Sequence, residues 1–322
     1  MTETVVQRRD ATGAIGASIP IEQARPRRRK LANQEWVIFI LFMFPNLFFL
    51  SLFTFWPMIK NVEISFHRSN LLNQHSTWVG LDNYRYIFED AQFQQVLRNT
   101  LVFTISTLVA TLVLGLLIAL LLNQKLRFRN AARAIVFAPT LLSGAAIGIV
   151  WAYIFDPRYG LLAQMLGWIH ITSPQWLNRP EWAMPAIIIV YVWKNVGFSA
   201  VIFLAGLQAI PKDLYDAAKV DGANVFWRFR SVTLPMLSPV SFFLLITTVL
   251  ATFQAFDIQR VMTRGGPAFS TTTLIYYVYE QGFGLAANYG RAAAAAITLF
   301  FVMLVITVIQ FRFSENQVHY DD

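Results

Sequence analysis

Long apolar runs, each cut off by a polar segment, set the pattern along this chain. Six windows, at about 36–59, 99–122, 134–155, 183–207, 232–256 and 291–311, are apolar enough to span a membrane. Each is near the ~20 helical residues that cross a ~30 Å hydrocarbon layer. The expected fold is therefore an all-α polytopic membrane protein with six transmembrane helices. The first window is too long for a signal-peptide core and has no small-residue cleavage site behind it, so it is read as a retained span.

The segments between the spans carry weaker patterns. Residues 1–35 are polar, with interspersed Gly and Pro, and predict a largely disordered tail. Its RPRRRK run at 25–30 either meets anionic headgroups of membrane lipid or serves only to orient the chain. NYRYIFEDAQFQQVLRNT, within 60–98, reads as an amphipathic helix leading into the second span. Segment 156–182, with its Trp, Pro and Gly, suits a short interfacial hairpin, and 314–322 is a short polar tail. Gly144 and Gly148 form a G-x-x-x-G, and Ala292–Ala296 a second smooth surface; both predict close helix packing.

Composition agrees with the membrane reading. Of 322 residues, 56% are hydrophobic and only 14% charged, against roughly a quarter charged in soluble domains. The net charge of +8 acquires meaning from its location. Sixteen Lys and Arg fall in the first tail, in 123–133, in 208–231 and at Arg312, against eight in the longer segments 60–98, 156–182 and 257–290. The positive-inside rule then places both termini in the cytoplasm. The basic excess is thus a topology signal, with no nucleic acid implied.

Several chemistries are excluded. The chain has no Cys, which removes disulfides, thiol chemistry and Cys-based zinc sites. His67, His75, His170 and His319 lie outside the spans and far apart, with no metal-ligand spacing, and no G-x-S-x-G is present. A phosphate-binding P-loop needs Gly before its Lys. The six lysines here follow Arg29, Ile59, Gln124, Trp193, Pro211 and Ala218. The chain is therefore no enzyme of these kinds, and any ATP it uses is hydrolysed by another polypeptide. A membrane transferase would cluster acids at one interface, and a secondary transporter would bury carboxylates in its spans. The acids here are sparse, dispersed and outside the six windows.

One polar stretch between the fourth and fifth windows stands out. In IPKDLYDAAKVDGANVFWRFRSVTLP, Pro211 precedes good helix formers, Asp213 and Asp216 lie near the positive end of the helix dipole, and Asp216 is placed to pair with Lys219. Gly222 allows a turn, and FWRFRSV leads to Leu234-Pro235. Two short surface helices with a small-residue notch are expected, a shape suited to a groove on a cytoplasmic partner.

Asp216-Ala217-Ala218, three residues including Asp221, Gly222, nine residues, then Val232-Thr233-Leu234-Pro235 resembles the EAA loop of permease subunits in binding-protein-dependent ABC importers. The pattern there is E-A-A-x3-G-x9-I-x-L-P; Asp216 and Val232 are conservative departures. FPNLFFLSLFTFWPMIKNVEISF, VGLDNYRYIFED and GGPAFSTTTLIYYVYEQGF extend the resemblance from Leu41 onward to the carbohydrate-type subgroup. PVSFFLL, TTTLIYYVYEQGF and VIQFRFSENQVHY are similar to A subunits of importers for sn-glycerol-3-phosphate or glycerophosphodiesters. The resemblance implies the type I ABC importer permease fold, with 211–235 as a cytoplasmic coupling loop inside a permease domain covering 36–313. It also implies a second homologous permease, two ATPase subunits and an external substrate-binding protein in the inner membrane of a bacterium. No cofactor would be bound by this chain, ATP and Mg residing on the ATPases. The alternative solute is a di- or oligosaccharide.

Candidate pathway residues follow from polarity. Lys194 is the one charge near the middle of a window, and an intramembrane ammonium should face water, a partner or substrate. Asn195 beside it is a donor for hydroxyls. Gln254 and Asp257 are expected at the external end of the fifth span, to contact polyol hydroxyls, with Arg260 and Arg264 to attract an anion; pairing of Asp257 with Arg260 is the competing expectation. Tyr153 is a candidate aromatic wall, and Trp151 an interfacial anchor. TRGGPAFSTTT, at 263–273, is expected as a sharp external turn.

Overall fold

A computed structural model describes residues 28–69, 76–124 and 127–314. His75, Lys125 and His319 fall outside these residues, as do most of the two tails assigned to 1–35 and 314–322. The described residues form two units, divided at Met58–Ile59. In the first, α1 (Arg28–Leu50) begins eight residues before the expected span and passes through a π turn, Ser51–Phe55. Its side chains from Trp36 to Met58 are all exposed.

The second unit continues through α2 (Trp56–Ser65), a two-residue antiparallel pair β1 (His67–Arg68) and β2 (Thr77–Trp78), and α3 (Asp82–Glu89). Then come α4 (Ala91–Leu122), α5 (Arg129–Phe137), α6 (Gly144–Ile154), α7 (Leu161–Trp168) and α8 (Pro180–Ala209). The chain closes with α9 (Lys212–Val220), α10 (Val225–Arg228), α11 (Leu234–Met236), α12 (Ser238–Phe253), α13 (Asp257–Met262), α14 (Leu274–Phe283) and α15 (Tyr289–Ser314).

Five segments among the described residues are long and apolar enough to cross a membrane, and the bent pair α5–α6 is long and apolar enough when its two pieces are taken together. α4 and α8 run parallel, with Phe103 on Tyr191 and Gly115 against Ser199. A Cβ at Gly115 would lie 2.8 Å from that of Ser199, so the glycine allows the backbones to approach. Three apolar clusters stack along this pair. One joins α4 and α8 to Leu237 and Leu244, one joins Phe103 and Ile187 to Ile147 and Ile258, and one joins Phe93 and Val96 to Leu274, Tyr277 and Ala294–Ala295. Four residues of the 292–296 run, Ala292 to Ala295, are thus buried, as expected of a smooth face.

Three expectations are corrected. The amphipathic helix expected over 83–100 is split at Asp90, whose carboxylate accepts the Gln92 N–H at 3.0 Å and so caps α4. Segment 156–182 holds α7 and irregular chain in place of a hairpin. The third span is broken: a 3-10 turn at Ala138–Leu141 and extended residues at Leu142 and Ser143 bend it by 100°. The physical cause lies in α8. Gly197 leaves room for the Val136 carbonyl, and the Thr140 hydroxyl donates to the Lys194 carbonyl at 3.0 Å. Further on, Trp151 meets Trp193, and Phe155 meets Trp176. From Val136 at Gly197 to Thr140 at Lys194 the contacts thus step along α8 toward its N-terminus.

Candidate functional site

The 211–235 segment folds as its residues require. Pro211 ends the preceding chain, Asp213 occupies the first turn of α9 and Lys219 its last, each complementing the helix dipole. Lys219 Nζ donates to Asp216 Oδ1 at 2.6 Å, and this bond holds the Asp216 carboxyl below the usual carboxylate range. The pair is solvent-exposed, so its net energy is small. At the C-terminus, Asp221 N–H bonds the Ala217 carbonyl at 3.0 Å and Ala223 N–H bonds the Ala218 carbonyl at 2.9 Å. Gly222 adopts φ +78°, the left-handed conformation such a helix end favours. Asn224 Oδ1 then accepts the Trp227 N–H at 2.9 Å to start α10.

The result is a notched projection. Asp216, Ala217, Asp221 and Gly222 are exposed around the notch, and Val220, Val225, Phe226 and Trp227 present apolar surface beside it. Leu234 and Pro235 are also exposed, at the start of α11. Apolar side chains rimmed by charge are the character of a protein-docking surface.

The pathway candidates occupy the breaks. The fifth span runs over Ser238–Met262, about six residues further than its expected window, because 225–237 is taken up by separate short helices and a π turn. Gln254 therefore follows the last residue of α12, and Asp257 is the first residue of α13, both within the candidate span. α12 stops at Phe253, and α13 restarts after Phe256, so the helix is interrupted where these two side chains sit. The freed Ala251 carbonyl accepts the Tyr191 hydroxyl at 3.0 Å. Such irregular backbone is tolerated at membrane depth where protein surrounds it or water reaches it.

The G-x-x-x-G of α6 packs on this interrupted span. Gly144 meets the Asp257 carboxylate, and a Cβ at Gly148 would lie 3.1 Å from Val261. Asp257 is thus held against the N-terminal end of α6, where a negative charge is favoured. It forms no ion pair with Arg260 among the described residues. Arg260 instead donates to Tyr279 at 3.3 Å, reaches Tyr276 at 3.5 Å, and lies 5.0 Å from the Tyr279 ring centre. Neither tyrosine was singled out from sequence, although their i, i+3 spacing on α14 aligns them. A cleft of about 580 Å³ is lined by Ile149, Arg260, Val261 and Arg264.

Other candidates are dispersed. Lys194 is half-buried at mid-α8, and its ammonium has no hydrogen bond or ion pair among the described residues. One N–H of the Asn195 amide donates to the Tyr191 carbonyl of its own helix at 2.8 Å, which leaves the other as a donor. Tyr153 is exposed one turn beyond Ile149 on α6. Trp151 packs on Phe155 and Trp193, with ring centres 5.3 and 5.4 Å away. The 263–273 loop turns sharply at Gly265, φ +80°, but is tethered more than expected. Asn99 donates to the Phe269 carbonyl at 2.7 Å, and Thr271, Thr272 and Thr273 are buried.

Residues 111–316, which include the 211–235 projection and both breaks, match the family model described as binding-protein-dependent transport system inner membrane component. The chain is 35% identical over 277 residues to the sn-glycerol-3-phosphate transport system permease protein UgpA of Brucella abortus biovar 1 (strain 9-941), covering 86% of this chain and 94% of the relative. Its fold is similar to a chain of a bacterial ABC transporter involved in import of the acidic polysaccharide alginate, with TM-score 0.79 and 26% identity over 91% of this chain and all of the other. A second structure of a bacterial alginate ABC transporter, in complex with an alginate pentasaccharide-bound periplasmic protein, matches at the same TM-score and identity over 92% of this chain and all of the other. The chain belongs to the family of binding-protein-dependent ABC importer permeases, non-catalytic multi-pass membrane proteins with the type I fold.

Proposed function

We propose that this chain forms one half of the pathway by which a bacterial inner membrane imports sn-glycerol-3-phosphate or a glycerophosphodiester such as glycerophosphocholine. The observation that carries this reading is the 35% identity, over most of both chains, to a permease of sn-glycerol-3-phosphate transport. Two arginines on one cleft support it, because a phosphate-bearing solute needs cations that are themselves held in place. Arg260 is so held by Tyr276 and Tyr279.

In this reading the other half is a second, homologous permease. Two ATPase subunits hold ATP and Mg and receive α9 and α10 in their clefts, and an external binding protein delivers solute. The positive-inside distribution supports cytoplasmic termini and coupling segment. Closure of the ATPases favours one access state through its differential contacts with the coupling segment, as any ligand shifts an equilibrium only by its preference. Lys194, whose ammonium has no partner among the described residues, faces the shared cavity and meets the phosphate there. Gln254 contacts hydroxyls at the interrupted fifth span. The likeness to an alginate importer favours a second reading, a di- or oligosaccharide solute.

The test is ATP hydrolysis by the complete, lipid-reconstituted complex with its binding protein, offered sn-glycerol-3-phosphate, glycerophosphocholine or trehalose. Stimulation by the phosphate compounds alone is expected, and stimulation by trehalose alone would retire the phosphate reading. Lys194→Ala should then raise the solute concentration for half-maximal uptake by about tenfold or more, the worth of a charged hydrogen bond. An unchanged value would remove Lys194 from the pathway.

A further inference from the structure

α9 is nine residues long and exposed over most of its surface. A helix so short has little stability of its own. Its covalent route to the fifth span runs through Gly222, whose Cβ position has nothing within 4 Å, and then through α10 and a π turn. A displacement of α9 transmitted only along that route would be absorbed at Gly222, where the backbone is least constrained.

A second route bypasses the glycine. The Tyr215 ring packs on the cluster of Leu204, Leu207 and Leu237, and its hydroxyl meets Thr233 Oγ1 at 3.0 Å, across eighteen residues of chain. Thr233 is buried and ends the π turn Phe229–Thr233. Turns of this kind insert one residue into a helix and often mark functional positions. From Thr233 the chain enters α11 and α12, whose far end is the break at Gln254–Phe256. Thr233 Oγ1 also lies 3.5 Å from the Arg228 carbonyl, which leaves it free to accept from the Tyr215 hydroxyl; if the two elements separated, the Tyr215 hydroxyl would lose that acceptor at the edge of an apolar cluster, so the pair favours moving as a unit.

Resting on the reading of 211–235 as the ATPase-coupling segment, we propose that the Tyr215–Thr233 hydroxyl pair is the positioning contact that carries displacement of α9 into the fifth span, bypassing the Gly222 hinge. Both side chains act through the span and touch neither solute nor nucleotide.

The chain has no Cys, so spin labels can be placed at Thr172→Cys, outside the fifth span, and at Phe243→Cys, an exposed position on α12, in the complete reconstituted complex. The measurement is the fraction of chains whose label distance shifts, per nucleotide retained after ATP and vanadate trapping. Tyr215→Phe and Thr233→Val should each lower this ratio roughly fivefold, the worth of one hydrogen bond. The double variant should fall no lower than either single one, because the two residues act as one unit. A loss of folding would reduce shifted chains and trapped nucleotide together and leave the ratio unchanged. An unchanged ratio in both single variants, or losses that multiply in the double variant, would overturn the proposal. Asp216→Lys separates the two levels. If it too is without effect on trapping and ratio, the coupling reading itself fails; if it acts while Tyr215→Phe does not, only the hydroxyl pair fails.

Discussion

Tyr277 is fully buried, yet its hydroxyl has no hydrogen-bond partner among the described residues. Burial, reinforced by the Asp90 carboxylate, pushes its phenol up to about 12, so it stays neutral in the physiological range. Removing an unsatisfied hydroxyl from a packed site is near neutral or favourable. Tyr277→Phe should therefore leave stability unchanged or raise it by about 1 kcal/mol, read as thermal unfolding of the solubilised chain. A fall of that size would show that the hydroxyl has acquired a partner in the assembly. Asp216 offers the opposite case, an exposed acid whose pair is formed. Its folded pKa is depressed by Lys219, so the pair's contribution is present above the ordinary aspartate value and fades as pH falls through the lower, folded one. A carbon-13 titration of Asp216 should have its midpoint below that of a peptide spanning 213–219; coincident midpoints would mean the pair does not persist in solution.

At the level of elements, the breaks in the third and fifth spans decide where polar groups meet. Gly197 is the position that admits the Val136 carbonyl, and a side chain there would strike backbone on both Val136 and Phe137. Gly197→Val should cost about 1–3 kcal/mol by overpacking and lower the yield of folded chain, measured by size exclusion of the solubilised protein. Gly222→Ala makes an instructive contrast. Its surroundings are empty, so any loss there comes from the left-handed backbone and amounts to about 1 kcal/mol, confined to the α9–α10 segment. Faster amide exchange limited to that segment is the expected signature, and slowed or bundle-wide change would contradict it.

For the molecule as a whole, topology is the testable claim. The basic excess predicts that a reporter active only outside the cytoplasm is silent when fused after residue 223 or 322 and active after 172 or 267. Activity after 223 would place the notched projection on the wrong side for an ATPase partner. Much of this architecture is legible from local pattern, as the near coincidence of the 183–207 and 291–311 windows with α8 and α15 shows. The notched segment was equally legible, because capping by Pro211, Asn224 and Gly222 is decided within a few residues. Arg260 was less so: its tyrosine partners lie sixteen and nineteen residues away on another helix.

Sequence alone determined where most of the long apolar helices lie, the charge asymmetry between the segments that join them and the two short helices of the 211–235 projection, since hydropathy and capping are sums over neighbouring residues. Tertiary structure decided where the third and fifth spans break, that Asp257 rests on Gly144 while Arg260 turns to α14, and that Tyr215 ties α9 to Thr233. These outcomes depend on which small residue or hydroxyl of one helix faces the backbone of another. A window average carries no information about that, because it is set by rotation and contact between segments far apart in the chain.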